Sequence, residues 1–269
     1  MDIISSPQNQ LIKETKKLQQ RKYRESQKLF LIEGIRLAEE ALKAKVAEKF
    51  FYSLEMLQTE RGQTLLSNLQ AQMPAKAIIE VSSNVLHTLA ETETPQGIVG
   101  VARQQDSEIC KLEPGNKSLL LIMDSLQDPG NLGTMLRTGW AAGVTAVICL
   151  PGTVDPYNGK TVRASMGGIF NVPVFSGISW DKVEQWCRQQ GYQIVAGGLQ
   201  GKDYYKVKYA QRVALVIGNE GKGLTQVQAD EIDVEVTIPM TPKAESLNAA
   251  VAGGILLYEI IRSQTEDLI

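Results

Sequence analysis

"IPMTPKAESLNAAVAGGILLYEI", residues 238–260, passes from a short strand pattern through a polar turn into a run of Ala, Gly and aliphatic residues. Ala249, Ala250, Ala252, Gly253 and Gly254 follow Asn248 with only Val251 among them. Each glycine inside a helix costs about 1 kcal/mol relative to alanine. Side chains this small let other backbone, or a ligand, come very close. Ser246 and Asn248 are both of the type that caps a helix, whose first amides are open to acceptors.

Upstream, "LLLIMD" (119–124), "VTAVICL" (144–150), "QIVAGG" (193–198), "VALVIG" (213–218) and "VEVTIP" (234–239) read as strands. Helical patterns such as "NLGTMLRTGWAAG" (131–143) and "DKVEQWCRQQG" (181–191) lie between them. Continuous aliphatic strands divided by helices predict a parallel sheet covered on both faces. Ligands in such sheets sit beyond the C-terminal strand ends. After the first strand, Asp128-Pro129-Gly130 is a turn, Asn131 reads as a helix cap, and Arg137 falls nearly two turns into the helix. After the fourth strand, "GNEGKGL" (218–224) sets Glu220 among three glycines. Neither segment carries a Gly-x-Gly-x-x-Gly dinucleotide fingerprint or a Gly-Lys-Ser/Thr phosphate loop.

In this order and at these strand ends, "NLGTMLRTG", "VIGNEGKGL" and "IPMTPKAESLNAAVA" resemble the three motifs of the SpoU (TrmH-like) family of RNA ribose 2'-O-methyltransferases. "KTVRASMGGIFNVPV" (160–174) is similar to a further family segment. The resemblance implies an α/β, knotted parallel-sheet (trefoil knot) methyltransferase domain, S-adenosylmethionine as cofactor, and a homodimer. Gly218, Ile238 and Leu247, with Gly197 as a further wall, fall at the positions that hold the cofactor. Arg137 falls at the catalytic position. A free guanidinium keeps its proton throughout the physiological range, so the expected role is electrostatic, on the target phosphate and 2'-oxygen. Asn131 matches a residue that positions the target, Glu220 an anchor for Asn131 or Arg137, and Ser246 and Asn248 polar groups near the reacting atoms. Arg163 and Ser165 are read equally as phosphate ligands or as braces. Pro242 stands where many relatives have glycine, and Gly139 where alanine is common.

The first hundred residues divide from the rest at a polar break, "QQDSEICKLEPGNKS" (104–118). The expected organisation is an accessory RNA substrate-binding domain at 1–105, a linker at 106–118, and the methyltransferase domain at 119–269. "FLIEGIRLAEEAL" and "PQGIVGV" are similar, more loosely, to the family's accessory domain. "NQLIKETKKLQQRKYRES" and "FLIEGIRLAEEALKA" read as helices; "KFFYSL", "KAIIEVS" and "QGIVGVA" read as strands.

With 43% hydrophobic and 22% charged residues and a net charge of -2, the chain is neither a basic coat nor a disordered polymer. Between Lys13 and Lys28, however, seven Lys/Arg face two acids. A local stripe of this kind is either a solvated face or a phosphate contact. Three cysteines and one histidine, His87, give no metal-like pattern, and no metal is expected. No apolar run reaches membrane-spanning length and no signal-like leader is read, so the expected setting is cytoplasmic, away from membranes. Ribosomal RNA is favoured over transfer RNA as substrate, since a separate RNA-binding module suits a large folded target. Base-nitrogen methylation and non-catalytic RNA binding stand as alternatives.

Overall fold

The computed structural model describes residues 3–105, 108–227 and 229–266. It divides into two compact units, Met1–Gln105 with Tyr157–Phe170, and Asp106–Pro156 with Asn171–Ile269. Asp106 and Ser107, at the head of the expected linker, lie outside the described residues. Further along it, Ile109 and Leu112 pack against the core of the second unit.

The first unit holds α1 (Gln10–Lys17), α2 (Arg21–Gln27), β1 (Leu29–Glu33), α3 (Ile35–Lys43), β2 (Ala47–Tyr52), α4 (Glu60–Gln72), β3 (Ile78–Glu80), α5 (Ser83–Leu89) and β4 (Ile98–Arg103). Its sheet runs β1-β4-β2-β3, antiparallel except for the β2–β3 pair. The structure corrects two helix expectations here. The segment at 9–26 is two helices, because the chain turns at Leu18–Gln20. The buried Arg24 guanidinium donates to the Leu18 and Gln19 carbonyls at 2.9 and 2.7 Å and holds that corner. The residues "LFLIE" form β1 rather than helix: they pair with β4 from Leu29↔Arg103 to Glu33↔Val99. Gly34, at φ +98°, then turns the chain into α3.

The second half of the chain supplies β5 (Ser118–Met123), α6 (Pro129–Ala142), β6 (Ala146–Cys149), α7 (Gly159–Ser165), α8 (Gly168–Asn171), β7 (Val174–Ser176), α9 (Trp180–Gln189), β8 (Gln193–Asp203), β9 (Arg212–Ile217), β10 (Val234–Thr237) and α10 (Ala249–Glu266). All neighbours in the sheet β10-β8-β9-β5-β6-β7 are parallel. Every residue of β5 is buried, as is β9 after Arg212, which is why both read as unbroken aliphatic runs. The three-residue β7 is too short to leave a pattern in sequence. β8 continues five residues past its expected end. β10 pairs with Val195 and Ala196, then jumps to Lys202 and Asp203, leaving 197–201 out of the ladder. Glu235 lies so close to this excursion that a Cβ on Gly198 or Gly201 would collide with it.

The chain runs from β5 outward to β7, then returns to β5's other side with β8 and β9. The β5/β9 boundary is therefore the topological switch point, where ligand crevices open at the strand ends. α10 packs on α6 and β9, and its small residues are what allow it. A Cβ on Gly253 would run into the Met135 thioether of α6 and reach Ile217 Cγ1 at 3.5 Å. Among the described residues, no helix is long and apolar enough to cross a membrane.

Gly253→Ala should be near neutral, because a flexible Met135 yields while helix propensity improves by about 1 kcal/mol. Gly253→Leu overpacks the α6–α10 seam and should cost about 3 kcal/mol. Urea melts of both variants measure the difference.

Candidate active site

Three segments far apart in sequence meet through one chain of side-chain hydrogen bonds. Asn248 Nδ2 donates to Asn131 Oδ1 at 2.8 Å, and Asn131 Nδ2 donates to Glu220 Oε1 at 3.1 Å. An ionised carboxylate only accepts, so Asn131 must offer it the amide nitrogen. Its oxygen is then left for Asn248, whose own oxygen in turn accepts from the Ala250 and Val251 amides at 2.9 and 3.2 Å. The direction of every bond follows from the charge at one end.

Glu220 also accepts from the Gln127 and Asp128 amides, each at 3.2 Å. Partial burial pushes its carboxyl upward. The hydrogen bonds from its own amide, Asn131, Gln127 and Asp128 outweigh this and hold it below the usual carboxylate range. The anchor is therefore fully present above the unfolded carboxylate range and is lost as pH falls through the lower folded value. The expected choice between Asn131 and Arg137 as Glu220's partner is thus Asn131. Asn131 itself does not cap α6. Asp128 does, accepting from the Asn131 amide at 2.8 Å, with Pro129 following as the first helical residue. At α10 the cap is Asn248. Ser246 is exposed and has no hydrogen-bond partner among the described residues.

Sequence reading missed Asp124, the last residue of the "LLLIMD" run. Its carboxylate, 0% exposed, accepts from Thr225 N (2.6 Å), Thr225 Oγ1 (2.7 Å), Gln226 N (2.8 Å), Val227 N (3.3 Å) and Ser125 Oγ (3.1 Å). These bonds clamp the far end of the 218–224 loop to the end of β5. Ser125 turns the chain there at φ +61° and receives Asn219 Nδ2 on its carbonyl at 2.8 Å. An acid closing an otherwise aliphatic strand was the available signal.

The expected cofactor positions lie at neighbouring strand ends: Gly197 in β8, Gly218 after β9 and Ile238 after β10. A Cβ on Gly218 would sit 2.5 Å from the Gly223 carbonyl carbon, so the backbone there is bare by necessity. Ile238 is half-buried, and Leu247 is exposed. The four offer aliphatic side chains and glycine backbone and carry no charge, a chemistry suited to the faces and edge of the adenine of S-adenosylmethionine.

Arg137 is exposed on α6 and has no acidic partner among the described residues. Beside it, Asn131, Thr134, Thr138, Val251, Gly254 and Tyr258 help line an open groove of about 710 Å³ between α6 and α10. Arg163 instead braces the first unit, its Nη1 lying 3.0 Å from Glu91 and 3.5 Å from Glu33, and Ser165 is buried with its hydroxyl on the Val162 carbonyl. Burial, aided by Asp155 and by Glu184 respectively, pushes the Cys149 and Cys187 thiols up to about 12, which removes both as nucleophiles. Among the described residues no group of three His, Cys, Asp or Glu could hold a metal ion.

Residues 118–258 match the SpoU rRNA Methylase family, and residues 9–100 match the MRM3-like substrate binding domain. The chain is 37% identical to the 23S rRNA (guanosine(2553)-2'-O)-methyltransferase RlmP of Bacillus subtilis, over 97% of this chain and 99% of that protein. An AdoMet-bound rRNA methyltransferase from Sinorhizobium meliloti superposes with a TM-score of 0.85 at 31% identity, covering 97% of both chains. The SpoU methyltransferase AviRb from Streptomyces viridochromogenes, in complex with AdoMet, gives 0.85 at 25% identity over 96% of this chain and 99% of that one.

Asp124→Asn keeps one acceptor oxygen but turns an amide on donors that include the backbone amides of Thr225, Gln226 and Val227. The variant should lose about 3 kcal/mol of stability, read from denaturant melts, with the 218–227 segment gaining amide exchange first.

Proposed function

The chain belongs to the SpoU rRNA Methylase family and is an S-adenosylmethionine-dependent RNA ribose-2'-O-methyltransferase, and we propose how its residues divide that work. The observation that carries the reading is the Asn248–Asn131–Glu220 chain, which ties all three motifs to the switch point of the sheet. When bound, S-adenosylmethionine supplies the electrophilic methyl group. Gly197, Gly218, Ile238 and Leu247 hold it by backbone and aliphatic surface.

Arg137 carries the chemistry by holding the target phosphate and the charge that develops on the 2'-oxygen. Its exposure and its lack of an acidic partner among the described residues leave the guanidinium available to RNA. The proton passes to phosphate or water, since a guanidinium does not act as a base near neutrality. Asn131, held at both ends of its amide, positions the target, and Glu220 acts through Asn131. Asn248 fixes the start of α10, and Ser246 lies beside it at the mouth of the site.

The substrate is ribosomal RNA. RlmP, by its name, modifies a 23S guanosine, which supports the large-subunit RNA as the target here. Residues 1–105 act as the accessory RNA-binding domain and 119–269 as the catalytic domain, in the cytoplasm. The working form is a homodimer. Val251 and Tyr258 are 53% and 52% exposed on α10, and a second copy covers this apolar face beside Arg137.

Purified protein, tritiated S-adenosylmethionine and ribosomal RNA from cells lacking the gene test the reaction. The expected label is on a ribose, located by nucleoside digestion; label on a base nitrogen, or none from protein that binds the cofactor, would overturn it. Arg137→Ala should lower methyl transfer roughly a hundredfold to a thousandfold while cofactor affinity stays within a few-fold. Val251→Asp with Tyr258→Asp should give a monomer in sedimentation equilibrium and lower turnover on RNA.

A further inference from the structure

Six of the seven cations between Lys13 and Lys28 remain outside the core; the seventh, Arg24, is buried. Arg24 spends its charge on the Leu18 and Gln19 carbonyls. It thereby fixes the corner between α1 and α2 and leaves the other cations on a rigid support. On α1, Lys13, Lys16 and Lys17 stand at i, i+3 and i+4, so they share one face of the helix. Opposite them in the helix, Ile12 and Thr15 are buried.

Tyr23 joins that face to α2. Lys17 Nζ lies 5.7 Å and Lys22 Nζ 6.0 Å from its ring centroid, which brings cations of both helices onto one surface. Acidic neighbours neutralise part of it: Glu14 pairs with Lys17 at 2.8 Å and Glu25 with Arg21 at 2.7 Å. Lys13, Lys16 and Lys28 have no acidic partner among the described residues, and Lys22 lies only over the ring. A chain with net charge -2 thus presents a compact positive face on one helical corner.

We propose that this α1–α2 face is a docking surface for the phosphate backbone of folded RNA, read by charge and not by base. The proposal rests on ribosomal RNA being the substrate. Tyr23 is half-buried and flanked by lysines, which suits it to spacing the cations and not to stacking a base. Exposed lysines on flexible stems act as point charges, so the surface adds affinity uniformly across RNA sequences. Base selection then belongs to the catalytic unit.

The test is Lys13→Gln, Lys16→Gln and Lys22→Gln in one full-length protein, with Lys43→Gln, Lys45→Gln and Lys76→Gln as a charge-matched control on other elements. Affinity for ribosomal RNA fragments is measured by fluorescence anisotropy across a salt series. The first triple should weaken binding roughly tenfold or more and lower the slope of log K against log salt by about 2 to 3. The loss should be similar for fragments of unrelated sequence, with kcat at saturating RNA within about twofold of wild type. The matching Lys→Arg triple should bind normally. Wild-type affinity and slope in the Lys→Gln triple, beside wild-type protein that methylates ribosomal RNA, would overturn the surface alone. An equal loss in the control triple would also overturn it, by reducing the effect to bulk charge. Wild-type protein that neither binds nor methylates ribosomal RNA would remove the functional reading and this proposal together.

Discussion

The amide of Asn131 is the point on which the catalytic unit turns. A carboxylate on one side and a second amide on the other leave it a single orientation. Through it the loop after β9, the start of α6 and the start of α10 are fixed to one another. The charge of Glu220 sets the direction of the whole chain, ending at the first amides of α10. Partial burial opposes that charge, and four donors outweigh it.

Around this point the structure uses polar groups and missing side chains in complementary ways. Asp124 holds the other end of the same loop from beneath, wholly buried and satisfied by five donors. Buried carboxylates are tolerated only under such conditions. Glycines then appear where backbone must meet backbone or a neighbouring side chain: Gly218 against Gly223, Gly198 and Gly201 against Glu235, Gly253 against Met135. The tiny residues of α10 are thus explained first by helix packing on α6. The cofactor positions we propose, Gly197, Gly218 and Ile238, lie on other elements, at β8 and after β9 and β10.

Much of the catalytic half was legible. The short aliphatic runs at β5 and β9, bounded by polar and turn residues, read as strands buried on both faces, and the polar stretches after them are where a parallel sheet presents ligands. The first half was harder. "LFLIE" and the residues after it share apolar spacing with a helix, and only pairing with β4 decides that five of them form a strand. The break between α1 and α2 depends on Arg24, whose burial no local pattern announces.

By itself the sequence determined the parallel sheet, the three motifs at its strand ends and their family, because periodicity and motif order are local properties of the chain. The tertiary structure decided which of those residues touch. It gave Glu220 to Asn131, the α6 cap to Asp128 and the α10 cap to Asn248, and it turned Arg163 toward Glu33 and Glu91. These are contacts between residues as many as 130 positions apart. Their selection depends on which donors and acceptors folding brings within hydrogen-bond reach of each other, and no local pattern encodes that distance.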